Sequence, residues 1–572
     1  MKLTPSAHAD TFCRDHLPPF EQWPDLEFTL PELAYPDRLN CASTLLADTI
    51  AVHGADRPCL LPQDENAQVW SYADLSQVAS QIAHVLTDEL GVVPGNRVLL
   101  RGPNNPWLVA CWFGVLLAGG VVVATMPLLR AAELTTICDI AKVSLALCDD
   151  RFTDELAAAD APGLRIVSFH AAAPPTPASG AELGAPGNLN ELASRKPGTF
   201  GPIETAADDV ALIAFTSGTT GRPKAAMHFH RDVLAVADTF SAHVLKPTKD
   251  DIFTGTPPLA FTFGLGAILI FPIRAGAATL LIERATPAEL ADQIAARGVT
   301  VVSTAPTAYR AMLAAGKAEQ LRSLRRPVSA GETLPGSVWQ AFYDATGVKI
   351  IDGIGSTELL HIFISAADDQ ITPGSTGLPV PGYRAVILDD AGEPVPDGQS
   401  GRLAVKGPTG CRYLADDRQR NYVSHGWNFT GDTYIRDADG YFWYQARSDD
   451  MIVSAGYNIA GPEVEEVLLS HRLVAECGVV GLPDESRGQV VTAFVVLTDG
   501  GEPGPALVAE LQDLVKQKIA PYKYPRAIEF RAALPRTNTG KLQRFKLRDQ
   551  PPALRPQDQT STTTGMIIGR RR

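Results

Sequence analysis

The sequence has no CxxC pair. Its eight cysteines, Cys13, Cys41, Cys59, Cys111, Cys138, Cys148, Cys411 and Cys477, are scattered over 572 residues. That excludes a disulfide framework or a paired-cysteine zinc site and leaves reduced thiols. Positive charge is not in excess either: 50 Lys and Arg stand against 64 Asp and Glu, a net charge of −14. This argues against nucleic acid or anionic membrane as the main partner. The opening residues, MKLTPSAHADTFCRDHLPP, lack a basic segment followed by an apolar run, so no secretory signal is expected and a cytoplasmic location is. There is no internal repeat, no GxxxxGK[ST] phosphate loop and no kinase-type glycine loop. One stretch lacks charge altogether: Trp107–Leu129, WLVACWFGVLLAGGVVVATMPLL. It is long enough to span a bilayer. However, Gly119 and Gly120 divide it into a helix-like half and a β-branched half, so a buried helix, a turn and a core strand are expected instead.

The length requires more than one domain. Between residues 41 and 150 helix-like and strand-like segments alternate: Ser71–Leu86 and Asn105–Ala118 read as helices, and Arg97–Leu100, Val121–Ala124 and Leu145–Leu147 as buried strands. Residues 171–202, rich in Ala, Pro and Gly, read as a loose excursion. Strands are expected again at Val210–Phe215, Ala278–Ile282, Val299–Ser303 and Lys349–Asp352, with a helix at Arg231–His243. Closely spaced turns over Pro373–Val405 suggest a small β-barrel or sandwich. A boundary is expected near Arg447–Asp450. Beyond it, helices at Pro462–Ser470 and Ala506–Lys518 flank strands at Glu476–Gly481 and Val490–Leu497. The expected fold class is α/β: a large N-terminal domain (1–448) of layered α/β subdomains with a small β-barrel-like subdomain, then a small mobile α+β domain (449–550). The tail 551–572 reads as disordered.

The strand Val210–Phe215 runs directly into TSGTTGRPK, Thr216–Lys224. Its glycines let backbone N–H groups approach an anion, its hydroxyls add donors and Lys224 adds a positive charge, a combination suited to a polyphosphate. On composition alone it is also compatible with an ordinary turn.

The whole string resembles the phosphate loop of the adenylate-forming superfamily, which includes acyl- and aryl-CoA synthetases, peptide-synthetase adenylation domains and firefly-type luciferases. Further motifs follow in the family's order, and the resemblance runs from about residue 45 to 548. It implies ATP or AMP binding by Thr216, Ser217, Gly218, Thr219, Thr220, Gly221, Lys224, Gly331, Glu332, Asp352 and Gly353. In IGSTE (Ile354–Glu358), Thr357 would contact the α-phosphate and Glu358 would help hold magnesium; Ile354 stands where the family commonly has tyrosine. Asp432 of TGD and Arg447 would hold the ribose, and Asp449 would be the hinge. Gly456 and Tyr457 of SAGYNI would form the CoA face, and Lys541 of PRTNTGKLQR would be the catalytic lysine. The implied cosubstrates are ATP, Mg2+ and coenzyme A. Two half-reactions are implied: a carboxylate attacks the α-phosphorus and displaces pyrophosphate, then a thiol attacks the acyl-adenylate and displaces AMP. Between them the small domain would swing about Asp449.

The segment DGIGSTELLHIFI (Asp352–Ile364) resembles benzoate-type CoA ligases, and the N-terminal run TPSAHADTFCRDHLPP resembles 2-aminobenzoate–CoA ligases in particular. The resemblance implies an aryl-acid pocket of Phe261, Phe263, Gly355, His361 and Ile362, with His361 either orienting the acid or serving as an ordinary core histidine. The ranked substrates are 2-aminobenzoate, then benzoate or a hydroxybenzoate. An enzyme loading a carrier protein, and a non-catalytic nucleotide binder on the same scaffold, remain as alternatives; Thr262 after Phe261 argues against an α-amino acid. The expected partners are therefore small molecules, without nucleic acid or membrane, and the family allows a homodimer.

Overall fold

The structure is a computed structural model. It describes residues 3–175, 187–216, 223–389, 391–447, 450–454, 457–484, 487–537 and 541–549. The chain forms two compact units, Met1–Asp449 and Asp450–Arg572, taken in turn.

Among the described residues the first unit contains three sheets. In the six-stranded sheet the order is Arg165–Phe169, Leu145–Asp149, Arg97–Arg101, Val121–Thr125, Val210–Thr216 and Lys224–Phe229. The first five are parallel and the last runs antiparallel to its neighbour. This last strand was not anticipated from the sequence. It pairs with Val210–Thr216 as the second strand of an antiparallel hairpin, with Thr216 opposite Lys224 and residues 217–222 outside the described residues.

The uncharged stretch resolves as expected. Helix Pro106–Leu117 is buried along its whole length and is capped by Asn105, whose side chain accepts from the Leu108 N–H. It packs on helix Tyr72–His84, which starts in a Ser71–Asp74 capping box. At the crossing a Cβ on Gly114 would lie 2.6 Å from Ile82 Cγ2, so only glycine permits this approach. Each apolar side chain fully buried here contributes about 1.5–3 kcal/mol. After the turn at Gly119, strand Val121–Thr125 enters the sheet. Among the described residues no helix is long and apolar enough to cross a membrane.

The nine-stranded sheet has a parallel centre, from Ile351–Gly355 through Arg326–Ser329, Val301–Thr304, Ile252–Gly255 and Ala278–Leu281 to Pro58–Pro62. Antiparallel strands close both edges. Strand Ile351–Gly355 begins and ends later than the expected Lys349–Asp352, so that the sheet itself delivers Gly353 and Gly355 to the site. The third sheet is antiparallel: Arg384–Leu388, Ser400–Lys406, Trp427–Arg436, Val423–Ser424 and Phe442–Arg447. It starts later and reaches further than the expected Pro373–Val405 subdomain. The supposed excursion 171–202 carries a short helix, Leu189–Ser194, anchored by Asn188; residues 176–186 lie outside the described residues.

In the second unit, helices Gly461–Leu469 and Pro505–Lys518 bury Val464, Leu468, Leu507, Leu511 and Val515 against a sheet of Tyr457–Ile459, Ile452–Ser454, Gly488–Leu497, Val474–Asp484 and Ala527–Phe530. The tail 551–572 lies outside the described residues.

Candidate active site

Where strand Ile351–Gly355 ends, Ser356 Oγ accepts the Leu359 N–H at 3.2 Å and caps a single turn, Thr357–Leu359. That turn presents Thr357 and Glu358. His228, on the hairpin strand Lys224–Phe229, ties the turn down through its Nε2, 2.8 Å from the Thr357 carbonyl. At the other end of the same strand, Lys224 Nζ lies 3.6 Å from Glu358 Oε1. Between them stands Tyr413. Its hydroxyl donates to Glu358 Oε1 at 2.5 Å and accepts from Lys224 Nζ at 2.8 Å. Burial, together with the nearby Cys411 and Glu358, raises the Tyr413 phenol far above its ordinary pKa, so it remains a neutral donor. The Lys224 ammonium also faces the rings of Tyr413 (4.8 Å) and Tyr422 (5.8 Å), a cation–π setting. Tyr422 OH in turn meets Ser356 Oγ at 3.0 Å.

The third sheet supplies a second pair. Asp432 and Arg447 face each other on adjacent strands. Arg447 Nη1 lies 3.2 Å from Asp432 Oδ1 and donates to the Thr430 carbonyl at 3.3 Å. Gly431 has φ +77°, and a Cβ there would lie 2.9 Å from Arg447 Nη2. Glycine therefore serves twice in this TGD turn, for its conformation and for the guanidinium's approach.

A third group is apolar. His361 is 3% exposed. Phe240, Phe263 and Phe271 surround it, with ring centroids 5.5, 5.7 and 4.6 Å away. Its Nε2 meets the Phe263 carbonyl at 3.3 Å, and its Nδ1 is buried with no partner among the described residues. Burial pushes its pKa down to about 3, so the ring is neutral. With Nε2–H donating to the carbonyl, Nδ1 is an acceptor. Glycines surround this group as well: a Cβ on Gly266 would lie 2.3 Å from His361 Cδ2, one on Gly355 2.6 Å from the His361 carbonyl oxygen, and one on Gly353 2.8 Å from Ile362 Cγ2.

The remaining expected residues fall as follows. Thr216 ends its strand half-buried, whereas Ser217, Gly218, Thr219, Thr220 and Gly221 lie outside the described residues. Gly331 (φ +89°) and Glu332 follow strand Arg326–Ser329. The Asp352 Oδ1 is buried without a partner among the described residues, and burial pushes its carboxyl up to about 7. Phe261 precedes the short helix Thr262–Leu265 that carries Phe263. In the second unit, Tyr457 is exposed and stacks on Tyr522 at 4.4 Å. Lys541 is exposed; its N–H bonds Thr537 Oγ1 and its carbonyl accepts from the Thr537 N–H. Asp449 and Gly456 lie outside the described residues. All eight cysteines are buried and free, as their scatter suggested.

The structure brings Lys224 to Glu358 and Asp432 to Arg447, all four of them candidates named from the sequence, whereas Tyr413, Tyr422, His228, Phe240 and Phe271 were not among the candidates. The string MHFH did offer a signal for His228, since in strand Lys224–Phe229 it lies on the same face as Lys224. Tyr413 offered none, because its distance of 55 positions from Glu358 is bridged only by the fold.

Residues 46–413 match the model of the AMP-binding enzyme family, and residues 463–541 that of the AMP-binding enzyme C-terminal domain. The chain therefore belongs to the AMP-binding, adenylate-forming enzyme family, and its mixed α/β fold with a large first and a small second part is that family's fold. Among known proteins it is 33% identical to the benzoate–CoA ligase of Thauera aromatica, over 91% of this chain and 98% of the relative. It is 34% identical to the 4-hydroxybenzoate–CoA/benzoate–CoA ligase of Rhodopseudomonas palustris, over 84% and 88%. Among solved structures, that of the anthranilate CoA ligase AuaEII with anthranoyl-AMP superimposes with a TM-score of 0.83 at 34% identity, covering 91% of this chain and 98% of the other. A benzoate CoA ligase from Burkholderia xenovorans LB400 follows at 0.80 and 31%, covering 89% and all of that chain.

Proposed function

We propose that this chain is an aryl-acid–CoA ligase that converts 2-aminobenzoate or benzoate, ATP and CoA to aryl-CoA, AMP and diphosphate through an aryl-adenylate. The observation that carries the reading is the neutral, aromatic-walled His361 group on the same chain segment as Glu358, in a chain similar over about nine-tenths of its length to ligases of benzoate and anthranilate. An aryl ring gains from aromatic and apolar walls.

Within this reading each group has a task. Lys224 and the hydroxyls and N–H groups of 216–221 bind the polyphosphate. Asp432, held in orientation by Arg447, accepts the ribose hydroxyls. Thr357 bonds the α-phosphate, and Gly331, Glu332, Asp352 and Gly353 form the floor under the nucleotide. Phe261, Phe263, Gly355 and Ile362 line the acid site. His361 Nδ1 offers an acceptor that suits an ortho amino group, which favours 2-aminobenzoate; a phenolic donor would suit it too, which keeps a hydroxybenzoate as the second reading. Lys541 of the small unit serves adenylation, Gly456 and Tyr457 serve thiolation, and Asp449 is the hinge.

Magnesium fits the donors present. Glu358 is a buried carboxylate with one oxygen already held by Tyr413, and the described residues contain no cluster of three metal-binding side chains. One carboxylate plus substrate phosphate oxygens is a usual way to hold Mg2+. When bound at Glu358 it would neutralise phosphate charge as pyrophosphate leaves.

The test is a panel of benzoate, 2-aminobenzoate, 3- and 4-hydroxybenzoate and hexanoate with ATP, magnesium and CoA, scored by kcat/KM. A preference for one aryl acid of tenfold or more over hexanoate is expected. Equal rates for hexanoate and the aryl acids would refute the aryl assignment, and adenylate without aryl-CoA would point to a different acceptor.

A further inference from the structure

The segment ahead of the family-matched residues 46–413 is not a loose leader. It runs along the strip of chain that carries Tyr413. The Ala415 N–H bonds the His16 carbonyl at 3.2 Å, the Asp25 N–H bonds the Gly426 carbonyl at 2.8 Å, and the Glu27 N–H bonds the Gly407 carbonyl at 2.9 Å. Asp25 pairs with Lys406 at 2.6 Å. Trp23 packs on Phe229 with centroids 5.8 Å apart and lies 5.5 Å beneath the Arg412 guanidinium. Two glycines on the strip make way for it: a Cβ on Gly410 would meet Pro24 Cγ at 2.5 Å, and one on Gly426 would meet Asp25 Oδ2 at 2.1 Å.

One buried side chain joins this segment to Tyr413 directly. Gln419 is 1% exposed. Its Oε1 accepts the Tyr413 N–H at 2.9 Å, and its amide nitrogen donates to the Gln22 carbonyl at 2.8 Å and to the Cys411 carbonyl at 3.0 Å. On its other side the strip is zipped to the hairpin strand, through Met227 N–H to the Arg412 carbonyl and Leu414 N–H to the Ala225 carbonyl, both 2.8 Å. The Tyr413 backbone is thus clamped between the hairpin and the N-terminal segment. Its hydroxyl is what holds Glu358 and Lys224 in register.

We propose that Tyr413 is a positioning residue for Glu358 and Lys224, and that the N-terminal segment His16–Glu27 acts on catalysis by fixing Tyr413 through Gln419. The inference rests on the adenylating role proposed above for Glu358 and Lys224. Physically, a hydroxyl bonded to a carboxylate at 2.5 Å fixes its orientation, and such positioning governs electrostatic catalysis. A substitution at Gln419 or Trp23 alters the anchor of Tyr413 without touching any substrate.

A double-mutant cycle tests this on the full chain. Tyr413→Phe removes only the hydroxyl, and Gln419→Met removes the link to Gln22. The readout is acid-dependent ATP–pyrophosphate exchange with benzoate, with kcat and the KM for ATP separated, alongside thermal melting of each variant. Tyr413→Phe is expected to lower kcat by about 10- to 100-fold, the range for a lost hydrogen bond to a charge. Gln419→Met is expected to lower it less, and to have no further effect once Tyr413→Phe is present. If Gln419→Met fails to fold, Trp23→Leu takes its place in the cycle. Equal losses from Gln419→Met in both backgrounds would show a general structural role and overturn the inference, as would an unchanged kcat in Tyr413→Phe. A wild-type chain without any acid-dependent exchange would instead overturn the adenylating function itself, so the two failures are separable.

Discussion

Replacing Arg412 by methionine should cost about 3–5 kcal/mol, because it leaves the Asp232 carboxylate buried without its ion-pair partner. Arg412 and Asp232 are both fully buried and form an ion pair. The pair is not richly supported: Arg412 Nε and Nη1 and Asp232 Oδ1 have no partners among the described residues. The other Asp232 oxygen also accepts the Phe229 N–H at 3.0 Å and so caps helix His230–Val236, while His228 Nδ1 stands 3.8 Å away. Burial works to raise the pKa of Asp232, but the Arg412 charge, followed by His228, outweighs it and the net shift is downward. The pair's contribution is therefore present above the ordinary carboxylate value and is lost as pH falls through the depressed folded value. Without the guanidinium the largest downward influence is gone, which leaves burial against the weaker pull of His228 and Arg231. Burial then raises the folded pKa above the unfolded one, so the penalty is full at neutral pH and is relieved on acidification.

The unit Met1–Asp449 has an unfolding entropy of about 0.9 kcal/mol/K at about 2.1 cal/mol/K per residue, so the loss corresponds to roughly 3–5 °C in Tm. Calorimetry at pH 7.5 and pH 5.5 measures it, and the gap to wild type should narrow at the lower pH. Adding Asp232→Asn removes the stranded charge but keeps the cap acceptor, and should recover at least half of the loss. A single variant that melts within 1 °C of wild type, or a double variant no better than the single, would refute the reasoning. Because Arg412 adjoins Tyr413, the double variant also reports whether exchange activity follows stability.

His361 and His230 are both buried, and burial pushes each down to about 3. Their neutral burial stabilises fully above the unfolded value near 6.5 and is lost as pH falls from there towards the folded value, by about 3 kcal/mol for the two between pH 7.5 and 5.5. Urea titrations across that range check it, and a flat profile would contradict the burial. Gly266→Ala sets a methyl 2.3 Å from His361 Cδ2 and 2.7 Å from Nε2. It should cost about 1–3 kcal/mol by overpacking and raise the KM for the aryl acid while leaving the KM for ATP unchanged, as steady-state kinetics would show. Lys541→Ala should nearly abolish adenylate formation while a preformed aryl-adenylate is still thiolated; equal loss of both half-reactions would end that division of labour.

The parts of this fold legible in the sequence are those set by local rules. Helix Tyr72–His84 announces itself by its capping box, and Trp107–Leu129 by a glycine pair that makes a membrane span implausible and a helix–turn–strand natural. The hairpin strand Lys224–Phe229 was hidden for a related reason. KAAMHF is buried along nearly all its length, so it has no polar–apolar alternation to mark it, and the adjoining glycine string draws attention to itself. The site divides along the same line. Glu358, Asp432 and Lys541 could be named as candidates because each sits in a short motif whose order is informative. Tyr413, Gln419 and Trp23 could not, because each acts through a contact with a residue far away in the chain and carries no chemistry of its own. The consequence is a concrete view of how such a site is specified. The residues that would meet the phosphates are written locally, whereas the distances between them, such as the 3.6 Å from Lys224 to Glu358, are set by aromatic and amide side chains that no motif contains. Substitutions at those supporting positions should leave every motif intact and still cost rate, and motif-based reading would misjudge them as neutral.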